Sequence, residues 1–137
     1  MHGLAFTRGH SDAMRDSSTA VPVVLRSGAQ FADLVASVDA GFSNCLFENA
    51  HATQLGLDLR SGVLTRFQKA TSNFDAYGHE IEIDVLGIVT HSLVYFFADA
   101  LIRKNVLGRG GWLDRVRLGL VDHDRTILLA AYDYYEV

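Results

Sequence analysis

The chain has 137 residues, 49% of them hydrophobic, with one proline and a formal charge of −4. That is enough apolar material for one ordinary core and too little length for two. The acidic balance argues against a broad nucleic-acid surface, which needs clustered Lys or Arg to displace counterions.

Residues 1–20 hold few large apolar side chains and are expected as a loose leader, leaving 21–137 as a single domain. They lack the basic and apolar regions of a secretory signal, and no apolar run approaches the ~20 residues of a membrane-spanning helix. A cytoplasmic protein without membrane contact is therefore expected. The single cysteine, Cys45, allows no intrachain disulfide and suits a reducing compartment. Its neighbours Leu46 and Phe47 mark it as a small core residue.

Val21, Val23, Val24 and Leu25 predict a first strand, with Pro22 near its start. Ser27-Gly28-Ala29-Gln30 then has capping-box spacing, and Phe31, Leu34, Val35, Val38 and Phe42 follow at helical intervals. A helix over 27–40, stopped at Gly41, is expected. Residues 44–48 read as a short strand. Asp58 or Ser61 can cap a second helix over 61–76, with Val63, Leu64, Phe67, Ala70 and Phe74 on one face.

Ile81, Ile83 and Val85 alternate with Glu80, Glu82 and Asp84, the pattern of a strand with one face in a core. After Gly87, Thr90 or Ser92 can open a third helix over 91–105 that carries Leu93, Val94, Phe96, Phe97, Leu101 and Ile102. Gly108 to Gly111 reads as a flexible connection. Val116, Leu118 and Leu120, then Ile127, Leu129 and Ala131, flank the polar tetrad Asp122-His123-Asp124-Arg125 as an antiparallel hairpin. The expected fold is mixed α/β: a single sheet of about five strands with a C-terminal hairpin, packed by about three helices.

No assembled chemistry stands out. His51, His79, His91 and His123 have acidic neighbours but none of the spacings of a metal site, so neither metal nor cofactor is expected. Gly108-Arg109-Gly110-Gly111 follows a predicted helix and precedes a strand, the reverse of a phosphate-cradling loop. Ser92 beside His91, with Asp84 and Asp99 near in sequence, reads better as a helix cap than as a triad, and no catalytic residue is assigned.

Residues 55–105 resemble the STAS-like domains, relatives of the sulfate-transporter and anti-sigma-factor-antagonist fold. The resemblance is carried by Leu59-Arg60-Ser61-Gly62, Ile81-Glu82-Ile83-Asp84, Gly87-Ile88 and Thr90-His91-Ser92 followed by Phe96, Phe97, Ala98, Asp99 and Leu101. It implies a hydroxyl at Ser92 or Thr90 that accepts phosphate and switches partner binding. Because nothing resembles an assembled active site, the preferred reading is a non-enzymatic regulatory or inhibitor-type module that binds a protein partner. Tyr132, Tyr134 and Tyr135 offer an interface, and a homo-dimer through the C-terminal edge strand is a related expectation. The alternative is a small-ligand-binding protein or enzyme with a pocket around Asp84, Thr90, His91 and Ser92.

Overall fold

Successive β-hairpins make up most of the chain. The structure is a computed structural model that describes residues 1–11, 14–15 and 18–135. The strands are β1 (Arg8–Ser11), β2 (Met14–Arg15), β3 (Ser18–Ser27), β4 (Gln30–Val38), β5 (Leu46–Phe47), β6 (Val63–Gln68), β7 (Asn73–Val85), β8 (Ile88–Phe97), β9 (Val106–Leu107), β10 (Val116–Val121) and β11 (Thr126–Ala131). Among the described residues α1 (Asn49–Gln54) is the one α-helix, and no helix is long and apolar enough to cross a membrane. The larger sheet runs β2-β3-β4-β9-β5-β8-β7-β6, and a further pairing of β3 with β7 (Val24 opposite Asp84) draws it round on itself. The smaller sheet runs β1-β11-β10.

This architecture corrects the expected α/β fold at each of its three helices. Over 27–40, Ser27 pairs with Gln30 across a two-residue turn whose first central residue, Gly28, has φ +58°, the position at which a tight hairpin wants glycine. In β4 the buried positions are Ala32 and Ala36, while Phe31 and Val35 are 60% and 50% exposed. The inward face of that strand alternates Ala32 and Ala36 with the partly buried Leu34 and Val38, and the outward Phe31 and Val35 complete a helical stripe that never forms.

The helix expected at 61–76 is the β6–β7 hairpin, with Phe67 opposite Phe74 and their rings stacked at 5.2 Å. That expected at 91–105 is the second part of β8, to Phe97, and the loop that follows it. Val85 pairs with Ile88 across Leu86 and Gly87, both at positive φ (54° and 86°), so the chain reverses into a second strand instead of entering a helix. Ile88, Val89, Thr90, Val94, Tyr95, Phe96 and Phe97 are the β-branched and aromatic types that fit a pleated surface.

The main core lies between the sheets, where Val21, Val23, Leu25, Ile81, Ile83, Val94 and Phe96 meet Trp112, Ile127 and Leu129. A second, smaller cluster gathers Leu46, Ala76 and Phe97 with Phe42, Phe67, Phe74, Tyr95 and Ile102. The segment expected as a leader contributes β1, which pairs with β11 from Arg8 opposite Leu129 to Ser11 opposite Thr126; residues 12, 13, 16 and 17 lie outside the described residues. Because β10 pairs with the other side of β11, that strand offers no open edge over these positions.

Cys45 is fully buried, and desolvation pushes its thiol up from 9.0 to about 11. Between those values the unfolded chain releases a proton that the native state keeps, so stability is lost as pH rises through this window. By pH 10.5 the wild type is expected to lose on the order of 2 kcal/mol more than Cys45→Ala, relative to pH 8. Urea titrations of both proteins at the two pH values measure the difference.

Candidate functional site

The end of β4 is held by β9, which runs parallel to it with Ser37 opposite Val106 and Val38 opposite Leu107. The Asp39 amide donates to the Leu107 carbonyl at 3.0 Å, extending that pairing by one residue. There the chain turns. Asp39 Oδ1 accepts the Gly41 N–H at 2.8 Å, and the Asp39 carbonyl accepts the Phe42 N–H at 3.2 Å. A Cβ on residue 41 would stand 3.0 Å from Asp39 Oδ1, so glycine leaves the carboxylate room in the Asp39-Ala40-Gly41 corner.

Beyond the corner, residues 42–44 lie against 108–110. Arg109 and Gly110 donate their amides to the carbonyls of Phe42 and Ser43, each at 2.9 Å, and Asn44 bridges Gly110 in parallel. The contact at Gly108 is so close that a Cβ there would run into the Asn44 carbonyl and lie 2.8 Å from that of Phe42. Two loops, 39–44 and 105–111, are thus locked together through backbone alone, and the lock fixes where the Asp39 carboxylate stands.

The β6–β7 hairpin reaches Phe42, three residues beyond Asp39, through Lys69 at its tip. Its tip is closed by the Lys69 amide on the Ser72 carbonyl at 2.8 Å, and Arg66 braces it by holding Asp75 at 2.9 Å, which keeps that carboxyl below its ordinary range. The Lys69 ammonium lies 3.6 Å from the centroid of the Phe42 ring, and that of Lys104, from the loop 98–105, lies 4.5 Å from it. Between the tip, the loop and the Phe42 ring lies a cleft of about 430 Å³, lined by Phe42, Lys69, Thr71, Ser72, Phe74, Phe97, Ile102 and Lys104. Asp39 is three residues from its Phe42 wall, partly exposed, and in no ion pair among the described residues. A carboxylate so placed can accept a proton from water or donate one to a bound group.

The residues singled out from sequence are placed elsewhere. Thr90 and Ser92 point inward from the middle of β8; Ser92 is only 3% exposed, and neither hydroxyl has a hydrogen-bond partner among the described residues. His91 points outward, 3.6 Å from Glu82. Asp84 shares that outer face, where it pairs with Arg26 at 2.9 Å and accepts the Gly87 N–H at 2.9 Å. The four are divided between two faces of one hairpin, and a switch at 90–92 has no helix N-terminus to occupy. Tyr132 and Tyr135 are exposed, while the half-buried Tyr134 accepts Arg117 at its carbonyl at 2.9 Å; Glu136 lies outside the described residues.

Asp39 falls within the helix expected over 27–40, where a carboxylate is an ordinary surface residue. The available signal was an Asp with Gly two positions on, directly after an apolar segment, which suits an Asx-type turn at a strand end.

Gly108→Ala is expected to cost about 1–3 kcal/mol, because the clash is with backbone that cannot rotate away. Gly3→Ala, where a Cβ meets nothing within 4 Å, should leave stability unchanged. Denaturant midpoints of the two variants test the contrast.

No family model and no curated protein matches this chain in sequence. In three dimensions it matches the crystal structure of a retropepsin-like aspartic protease from Rickettsia conorii, with TM-score 0.66 and 18% identity, over 90% of this chain and 99% of that one. The likeness establishes the fold and removes the STAS-like resemblance, whose helices are absent from 61–76 and 91–105. The non-enzymatic regulatory module, read from the lack of an assembled active site in the sequence and from Tyr132, Tyr134 and Tyr135, is set aside as well, because a solved structure that shares this fold is described as a protease. Of the two functional expectations the alternative, a small-ligand-binding protein or enzyme with a pocket, fits this fold better, but not at Asp84, Thr90, His91 and Ser92, which do not converge; what the structure shares with the Rickettsia protein is its fold.

Proposed function

We propose that this chain is one protomer of an aspartic peptidase, with Asp39 supplying one of two catalytic carboxylates. The single observation that carries the reading is the Asp39-Ala40-Gly41 corner, interlocked with the Gly108 loop and set beside an aromatic cleft roofed by a hairpin, on the fold of a protein known as an aspartic protease.

Aspartic peptidases use two carboxylates that share one proton, since like charges so close cannot both ionise. The ionised carboxylate takes a proton from water as the water oxygen attacks the scissile carbonyl carbon. The protonated one donates to the carbonyl oxygen, and collapse of the tetrahedral adduct passes a proton to the leaving amine. This chain supplies one such corner, so a second copy completes the pair, related by a two-fold axis beside the exposed Ala40 and Gly41. Such a homo-dimer meets at the corners, with no requirement for the C-terminal strand. The lone, buried Cys45 agrees with work in a reducing, cytoplasmic setting.

Asp39→Asn preserves an acceptor for the Gly41 amide and should fold normally. Cleavage of an unstructured protein substrate, followed by mass spectrometry, is expected to fall about 10³-fold in the variant. Undiminished cleavage by Asp39→Asn, or full activity in a strict monomer, contradicts the proposal.

A further inference from the structure

We infer that the cleft under the β6–β7 tip selects peptide segments in which an apolar or aromatic side chain is flanked by acidic residues, with Lys69 and Lys104 as the specificity-determining groups. The nature of the occupant rests on the peptidase reading above.

Lys69 and Lys104 are the only lysines in the chain. One comes from the hairpin tip and the other from the loop after β8, yet their ammoniums stand 3.6 and 4.5 Å from the centroid of one ring, Phe42. Both residues are exposed, and among the described residues neither ammonium is paired with a carboxylate. The acidic side chains that do form ion pairs meet arginines or histidines, as in Arg26 with Glu82 and Asp84, Arg66 with Asp75, and Arg103 with Glu48. Among the described residues, both lysines of a chain of net charge −4 thus stand unneutralised at the mouth of one cleft.

The floor of that cleft is Phe42, Phe74, Phe97 and Ile102. Water over these rings is displaced favourably by an apolar side chain. An extended peptide sends the neighbours of that side chain toward the rim, each about 3.3 Å further along the chain. The rim is cationic. Exposed cation–π contacts are weak, so the ammoniums can exchange the ring for an incoming carboxylate, and the charge complementarity contributes selectivity more than bulk affinity.

The test uses two labelled peptides that differ only at their centre, Glu-Phe-Glu or Gln-Phe-Gln, titrated by fluorescence anisotropy against Asp39→Asn protein so that no cleavage intervenes. The acidic peptide is expected to bind about five- to tenfold more tightly at low salt, the advantage shrinking as salt rises. The double variant Lys69→Met, Lys104→Met should keep its thermal midpoint and lose the preference, and Lys69→Glu, Lys104→Glu should reverse it. Equal affinity for the two peptides, no measurable binding of either, or a preference that survives the methionine variant overturns the inference. Selective binding of the acidic peptide without cleavage by the wild-type protein upholds this inference and rejects the peptidase reading; cleavage without acidic preference does the reverse.

Discussion

The contact of Gly108 with the backbone of residues 42–44 is the constraint on which the site depends. Two carbonyls occupy the space a side chain would need, and two amide–carbonyl bonds from Arg109 and Gly110 hold the loops in register. Backbone packed on backbone has no rotamers to adjust, so the position of the Asp39 corner follows from the chain path itself. The short parallel pairing of β4 with β9 delivers both loops to the same place. Other features are layered on this one: Phe42 leaves the lock to form one wall of the cleft, and the hairpin tip rests on Phe42.

The cleft combines two kinds of interaction with different reach. Its aromatic floor is continuous with the smaller core cluster, in which Phe67 stands edge-on to Tyr95 at 5.2 Å and Phe74 meets Phe97 at 5.2 Å, so the walls are supported from behind. The Lys69 and Lys104 side chains above it are exposed, and their ammoniums rest on the Phe42 ring. A rigid apolar base with movable cations at its rim favours shape selection at one position of a bound segment and charge selection at its neighbours.

Much of the strand content was visible in the sequence in some form, but its meaning was not. The alternation of Ile81, Ile83 and Val85 with Glu80, Glu82 and Asp84 marks β7 directly. In β4 the period-two signal of Ala32, Leu34, Ala36 and Val38 is weakened by its two alanines, while Phe31 and Val35 face outward. In β8 a run rich in apolar residues reads as a helix buried on several sides unless its β-branched and aromatic content is given weight. The two positive φ angles at Leu86 and Gly87 decide the matter, and a leucine in that conformation gives no warning in the sequence. Asp39 was hidden for a different reason: its significance comes from the loop around Gly108, nearly seventy residues on, and no local spacing connects the two.

Ser92, Thr90 and His91 look like a reactive set when adjacent in sequence, yet a strand sends neighbours to opposite faces, and here it buries the hydroxyls and exposes the imidazole. The single carboxylate corner acquires catalytic sense only when it is doubled, so the assembled state decides the account. A crystal structure of the assembled protein measures this directly: the account predicts the Asp39 carboxylates of two copies about 3 Å apart across a two-fold axis. Asp39 corners on opposite outer faces of a dimer, or a monomer at every concentration, would contradict it.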